Sequence, residues 1–130
     1  MSRKIKDAPC PCGGTQYASC CGRFIEQGQV PQSAVELMRS RYTAYVRGDE
    51  AYLKNTWHPS PRPAERVADG DAKWLGLEVR KAEQEGDAAT VEFVARYRIG
   101  GRAQRLHEVS RFVREEGKWY YVDGTFPESQ

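Results

Sequence analysis

Val91-Glu92-Phe93-Val94-Ala95-Arg96-Tyr97-Arg98-Ile99 is the stretch on which the fold turns. Val91, Phe93, Ala95, Tyr97 and Ile99 alternate with Glu92, Arg96 and Arg98. Successive side chains of an extended chain point to opposite faces, so this is a strand with one apolar face. Gly100-Gly101 behind it is a hairpin signal, because two-residue turns need positive φ. A third strand is expected over 102–114, and Glu116-Gly117 turns the chain into a fourth over 118–123. Upstream, Gly86-Asp87 turns back to a first strand over 74–85, with Leu75, Leu77 and Val79 expected on one face. Short turns make all four antiparallel neighbours.

Helical patterns precede the strands. Ser33 and Glu36 form an S-x-x-E capping box. Val35, Met38, Tyr42, Tyr45 and Val46 then recur at helical spacing, and Gly48 is a natural stop. Asp49 can cap a second, short helix reaching about Thr56. Pro59, Pro61 and Pro63 break the chain after that helix. A helical turn is expected near 64–67 and a tight turn at Asp69-Gly70-Asp71. Helices first and an antiparallel sheet after them is an α+β plan. The 130 residues suffice for one hydrophobic core.

Residues 1–29 differ from the rest. They hold all four cysteines and few large apolar side chains, too little to fold on hydrophobic energy alone. The expected division is therefore a metal-binding segment at 1–29 and a main domain at 30–130. Cys10, Cys12, Cys20 and Cys21 make a complete four-sulfur set for a tetrahedral zinc ion. Gly13 and Gly14 let the backbone turn beneath the sulfurs. Arg3, Lys4, Lys6 and Arg23 are placed to offset the charge of four thiolates. Such a site is structural, since four cysteines leave no open position for a substrate. The alternatives are two cross-paired disulfides in an oxidising compartment, or four unlinked thiols. The N-terminus shows no apolar run of signal-peptide type, and no stretch approaches transmembrane length, so a cytoplasmic protein with reduced thiols and no membrane contact is expected.

CPCGG-x-x-Y-x-x-CCG resembles the SEC-C zinc motif of the SecA translocation ATPase and many other bacterial proteins. Seven residues separate the cysteine pairs here, one fewer than the usual eight. The remainder resembles the YchJ family of bacterial proteins. That resemblance rests on Leu37-Met38-Arg39-Ser40-Arg41-Tyr42, Thr56-Trp57-His58-Pro59-Ser60, Trp74-Leu75-Gly76-Leu77, Ser110-Arg111-Phe112 and Trp119-Tyr120-Tyr121-Val122-Asp123-Gly124. It implies an NTF2-like cone, with helices packed into a curved sheet, and brings no defined activity. Many relatives carry a second SEC-C motif near the C-terminus; no second cysteine set is present here.

Cones of this kind often hold a pocket, and the candidates to line it are Trp57, His58, Glu108, Ser110, Arg111, Tyr120 and Asp123. Parity puts Leu106, Glu108, Ser110 and Phe112 on one face of the third strand, and His107, Val109, Arg111 and Val113 on the other. If the first face lines the pocket, Glu108 is a partly desolvated carboxylate able to act as a base. The competing expectation is a structural pairing of Glu108 with Arg39 or Arg41. His58 lies at the pocket mouth or bonds a loop group. Tyr42, Tyr45, Trp57, Trp74, Trp119 and Tyr120 form either a ligand cage or the core. Arg96, Arg98, Arg102 and Arg105 surround the Gly100-Gly101 turn and can grip phosphate, as in RNA or ribosome binding, or guard a sheet edge.

A net charge of only +2 argues against a chain-wide nucleic-acid binder. No nucleophile–base constellation or phosphate loop is visible, so catalysis is not the first expectation. The favoured expectation is a zinc-bearing adaptor that contacts protein, the ribosome or RNA. A small-molecule binder or enzyme using the cone is the alternative, and a homodimer through the outer sheet face is compatible with either.

Overall fold

A computed structural model describes residues 9–14, 16–59 and 72–127. The expected turns at 64–67 and 69–71 lie outside the described residues. After a 3₁₀ turn at Tyr17–Ser19 come helices α1 (Gly22–Ile25), α2 (Ala34–Arg47) and α3 (Glu50–Asn55). Strands β1 (Lys73–Glu85), β2 (Ala88–Ile99), β3 (Arg102–Glu115) and β4 (Lys118–Thr125) complete the chain order. They form one antiparallel sheet in the order β1-β2-β3-β4.

The caps are where the sequence puts them. Ser33 accepts a hydrogen bond from the Glu36 amide at 3.1 Å, and Glu36 accepts one from the Gln32 amide at 2.8 Å. Gly48 ends α2 in the left-handed conformation at φ 71°, and Asp49 caps α3 by accepting from the Tyr52 amide. Beyond α3, Trp57 makes a parallel bridge to Tyr121. His58 N–H donates to the Tyr121 carbonyl at 2.7 Å, and Tyr121 N–H to the Thr56 carbonyl at 2.8 Å. The edge of β4 is thus partly covered.

Val91, Phe93 and Ala95 of β2 and Phe112 of β3 are buried under α2 together with Leu37, Met38 and Tyr42. Each large apolar side chain so buried contributes about 1.5–3 kcal/mol. The cysteines and Tyr17 belong to the same cluster. Helix α2 is therefore packed on several sides. Met38, Arg41, Tyr42 and Tyr45 face the sheet, Ser40 and Ala44 face α3, and Arg39, Thr43 and Arg47 face the cysteine segment.

Two expectations about facing are corrected. Simple alternation puts Leu75 on a face with Leu77 and Val79, but a bulge between Trp74 and Gly76 turns it out to 45 % exposure. Trp74 pairs with Tyr97 on the inner face instead. Val46 is likewise exposed, because the stripe that meets the sheet runs 38-41-42-45 and excludes it.

Candidate metal centre and the cavity of the cone

The chain makes a tight turn at Cys10-Pro11-Cys12, closed by the Gly13 amide donating to the Cys10 carbonyl at 3.0 Å. Gly13 sits at φ 98°, a conformation that glycine adopts freely. The 3₁₀ turn then delivers Cys20 and Cys21, and Cys21 immediately precedes α1. The four Sγ atoms lie within 4.8 Å of one another, and Cys12 and Cys20 are 3.5 Å apart. All four are free thiols, three of them buried. A Cβ on Gly14 would stand 2.6 Å from Cys20 Sγ, so only glycine lets the backbone pass this close to the sulfurs. A sulfur-only donor set of this compactness can hold one metal ion.

The thiols compete for protons. Hydrogen bonds from Cys12 and Cys21 hold Cys10 far below the usual thiol range, and contacts with Cys10 and Cys12 push Cys21 far above it. Burial, then Cys12, pushes Cys20 up to about 11.

This segment is seated on α2. Arg39 donates to the Cys12 carbonyl at 3.0 Å, and Cys10 Sγ lies 3.7 Å from the Thr43 hydroxyl. Arg47 stacks 4.5 Å above the Tyr17 ring and pairs with Glu26, which also accepts from the Tyr17 hydroxyl at 3.0 Å. Positions 39, 43 and 47 share one helix face. Of the cations expected to offset the cluster, Arg23 donates to the Cys20 carbonyl at 2.9 Å. Arg3, Lys4 and Lys6 lie outside the described residues. Arg39 and Arg47 were not anticipated in this role, and their i,i+8 spacing across Thr43 was the available signal.

Across α2 from the cysteines, a cavity of about 310 Å³ opens between the helix and the concave face of the sheet. Its walls include the rings of Tyr42, Tyr45, Trp74 and Tyr97, with Phe93 and Phe112 beneath. Tyr42 and Trp74 meet edge to face at 5.7 Å, and Trp74 lies 5.1 Å from Tyr97. Glu108 and Ser110 line this cavity, as the Glu108 face of β3 requires. Glu108 is 7 % exposed. Its Oε2 accepts from the Ser110 hydroxyl at 2.7 Å and from the Tyr121 hydroxyl at 2.9 Å. The carboxylate lies against Gly124, where a Cβ would come within 2.7 Å of Cδ.

Arg41 is buried at the cavity wall. It donates to the Leu53 carbonyl and the Thr56 hydroxyl, each at 2.7 Å, and stacks on Tyr121 and Trp57 at 4.5 and 5.2 Å. Burial lowers its proton affinity, while neighbouring tyrosines and Glu108 act to raise it. The expected pairing of Glu108 with Arg39 or Arg41 takes another form. Arg39 is engaged at the cysteine segment, and Arg41 acts on Glu108 through space and through the ring of Tyr121 between its partners. Burial and Glu108 together push the Tyr121 hydroxyl far above its ordinary value.

The other pocket candidates lie elsewhere. Arg111 and Asp123 form a bidentate ion pair at 2.6 and 2.7 Å on the outer face. Tyr120 pairs with Val113 on that face, and His58 bonds Glu115 at 2.9 Å and meets the Tyr120 ring. Trp57 stands behind Tyr121, its indole N–H donating to the Val122 carbonyl at 3.1 Å. A bulge opposite Arg111/Phe112 shifts the parity of β4, so Tyr121 rather than Tyr120 faces the cavity. Of the six aromatics proposed as cage or core, Tyr42, Tyr45 and Trp74 line the cavity. Trp119 is core, and Trp57 and Tyr120 lie outside the cavity wall. Arg96, Arg98 and Arg105 project from the outer face. Arg102 pairs with Ile99 and so belongs to the opposite one.

A curved four-stranded sheet closed by helices over a cavity, with a four-cysteine segment on the helical side, defines an NTF2-like domain bearing a SEC-C-type knuckle. Residues 33–124 match the family model described as "YchJ, middle NTF2-like domain". A UPF0225 protein of Chromobacterium violaceum is 54% identical over 130 residues, covering 95% of this chain and 96% of that relative. One from Cupriavidus metallidurans is 55% identical over 128 residues, covering 93% and 91%. The solution structure of a SEC-C motif containing protein from Rhodopseudomonas palustris aligns with TM-score 0.83 at 35% identity, covering 92% of this chain and 98% of that one. A crystal structure of a SEC-C motif containing protein from Psychrobacter arcticus aligns with TM-score 0.76 at 26% identity, covering 94% and 84%. The chain belongs to the YchJ (UPF0225) family. Among the described residues, no helix is long and apolar enough to cross a membrane.

Proposed function

We propose that this protein binds a small organic molecule in the cone, and that the cysteine centre is a closed zinc site that ties Cys10 and Cys12 to the Cys20-Cys21 turn on the helical side. The observation that carries the first part is the cavity itself. It has aromatic walls and a buried carboxylate whose hydrogen bonds from the described residues fall on one oxygen, Oε2. Its volume is at the small end of ligand pockets, which run from roughly 300 to 1,000 Å³. Oε1 is the natural acceptor for a ligand N–H or O–H. The rings supply the contact area. The indole N–H of Trp74, a buried donor without a partner among the described residues, suits a ligand acceptor. The favoured ligand is therefore flat, largely apolar, and carries both a donor and an acceptor.

The experiment is a fragment screen read by tryptophan fluorescence and by thermal shift. Bound fragments should lose at least tenfold in affinity on Glu108→Gln, and should be excluded by Ala95→Trp, which fills the cavity. Fragments that bind equally well to Ala95→Trp would place binding elsewhere and refute the cavity reading.

For zinc, the support is the donor set: four thiols, soft and closely grouped, with no oxygen or imidazole among them. Bound there, the ion would supply folding energy to a segment poor in apolar side chains. Metal analysis of purified protein should give one zinc per chain and less in Cys12→Ser. Protein carrying no metal after refolding with zinc would overturn the assignment.

A further inference from the structure

The outer face of the sheet carries an arrangement that folding alone does not favour. In register, Lys73 of β1 lies opposite Arg98 of β2, and Arg96 of β2 lies opposite Arg105 of β3. Paired residues share a face, so all four cations project from the side away from the helices. All four are exposed. Like charges directly opposite across a strand pair are destabilising.

Elsewhere on this surface several cations are matched: Arg80 pairs with Glu78, Lys81 with Glu83 and Arg111 with Asp123. Lys73, Arg96 and Arg98 make no ion pair among the described residues. The remaining positions of these two rows are Gly76, opposite Arg96, and Ala103, opposite Arg98. Neither is large enough to cover the arginine heads. In a chain whose net charge is only +2, this is a local concentration of unmatched charge.

We propose that this corner of the sheet binds single-stranded nucleic acid through its phosphodiester backbone. Arg96 and Arg98, two residues apart on one strand, leave the same face from backbone positions about 7 Å apart. Three neighbouring strands widen the patch to about 10 Å. That is room for two to four phosphates. The paired positions of the two rows hold no apolar side chain larger than alanine, and Leu75, turned out by the bulge between them, is one half-exposed side chain rather than the broad desolvated centre of a protein–protein interface. It also lacks an aromatic ring for base stacking and a projecting helix to enter a groove. The contact is therefore with the backbone and independent of base sequence.

The test is fluorescence anisotropy of a labelled 20-nucleotide single-stranded RNA against the full chain from 50 to 200 mM salt. Each phosphate neutralised contributes about −0.7 to the slope of log K against log salt. The Lys73→Ala/Arg96→Ala/Arg98→Ala variant should bind at least tenfold more weakly, with a slope shallower by about 2. A control variant, Lys54→Ala/Arg80→Ala/Lys81→Ala, removes the same charge from matched sites and should bind as the parent does. The triple variant at the patch should also unfold at no lower denaturant concentration, because it relieves opposed like charges. The proposal is overturned by equal loss in the control, by undiminished binding in the patch variant, or by tighter binding to duplex DNA of the same length. It is also overturned if the patch variant dissociates a dimer seen by sedimentation, which would make the face a protein interface, or if the variant is destabilised, which would make the cations structural.

Discussion

Gly124→Ala isolates the buried carboxylate of the cone. The added Cβ would overlap the Glu108 carboxylate, standing 2.7 Å from Cδ and 2.9 Å from Cγ. Glu108 must then leave the position in which Oε2 accepts from Ser110 and Tyr121. A hydrogen bond to a charged group is worth about 1.5–3 kcal/mol. Losing one to two of them, with the carboxylate still buried at 7 % exposure, should cost about 2–4 kcal/mol. A total stability of about 5–15 kcal/mol makes this easily measured. The assay is urea unfolding of four proteins: the parent, Gly124→Ala, Glu108→Ala and the double variant. Removing Glu108 removes the collision, so in that background Gly124→Ala should cost no more than about 0.5 kcal/mol. The coupling between the sites should therefore be at least about 1.5 kcal/mol. Equal costs in the two backgrounds would show that the carboxylate does not lie over Gly124, and the cavity floor would be other than described.

Gly14→Ala puts a methyl within 2.6 Å of Cys20 Sγ and should lower zinc content, read by metal analysis, while far-UV circular dichroism of the sheet is unchanged. Tyr17→Phe removes the bond to Glu26 and should cost about 1 kcal/mol, with faster amide exchange confined to the cysteine segment. Burial pushes Tyr52 up to about 12. In the unfolded chain tyrosine titrates near 10, so the folded state holds the proton more tightly. This contribution is complete below pH 10 and disappears as pH rises to about 12, a loss of about 2–3 kcal/mol. Urea titrations across that range should show the decline, and Tyr52→Phe should flatten part of it. A rise in stability with pH would contradict the burial.

Much of this molecule is written locally. The β2 alternation is legible because Val91, Phe93 and Ala95 are buried on the face under α2, although Val94 is buried on the opposite face and Ile99 is exposed. Ser33, Gly48 and Asp49 act through the adjacent turn of chain, and each does what its residue type implies. The cysteine set is legible for the same reason, since ligand type and count do not depend on distant packing. Glu108 and Ser110 could be assigned to one face from parity, but which face was inner had to come from the position of α2.

What only the tertiary structure decided are the features where register or a second neighbour intervenes. Bulges opposite Tyr97/Arg96 and at Arg111/Phe112 each insert one residue, which reverses facing beyond them. Leu75 is turned out, Trp74 turned in, and Tyr121 takes the place that simple alternation would assign to Tyr120. Arg41, charged in sequence, is buried because carbonyl, hydroxyl and aromatic partners from three segments surround it at once. The opposed Lys73–Arg98 and Arg96–Arg105 pairs are likewise invisible until strands are set in register. Residue type and short-range periodicity determined the cysteine knuckle and the sheet, because those depend on nearest neighbours along the chain. The cavity and the basic face belong to neighbours across strands, whose alignment the chain sets only when it folds.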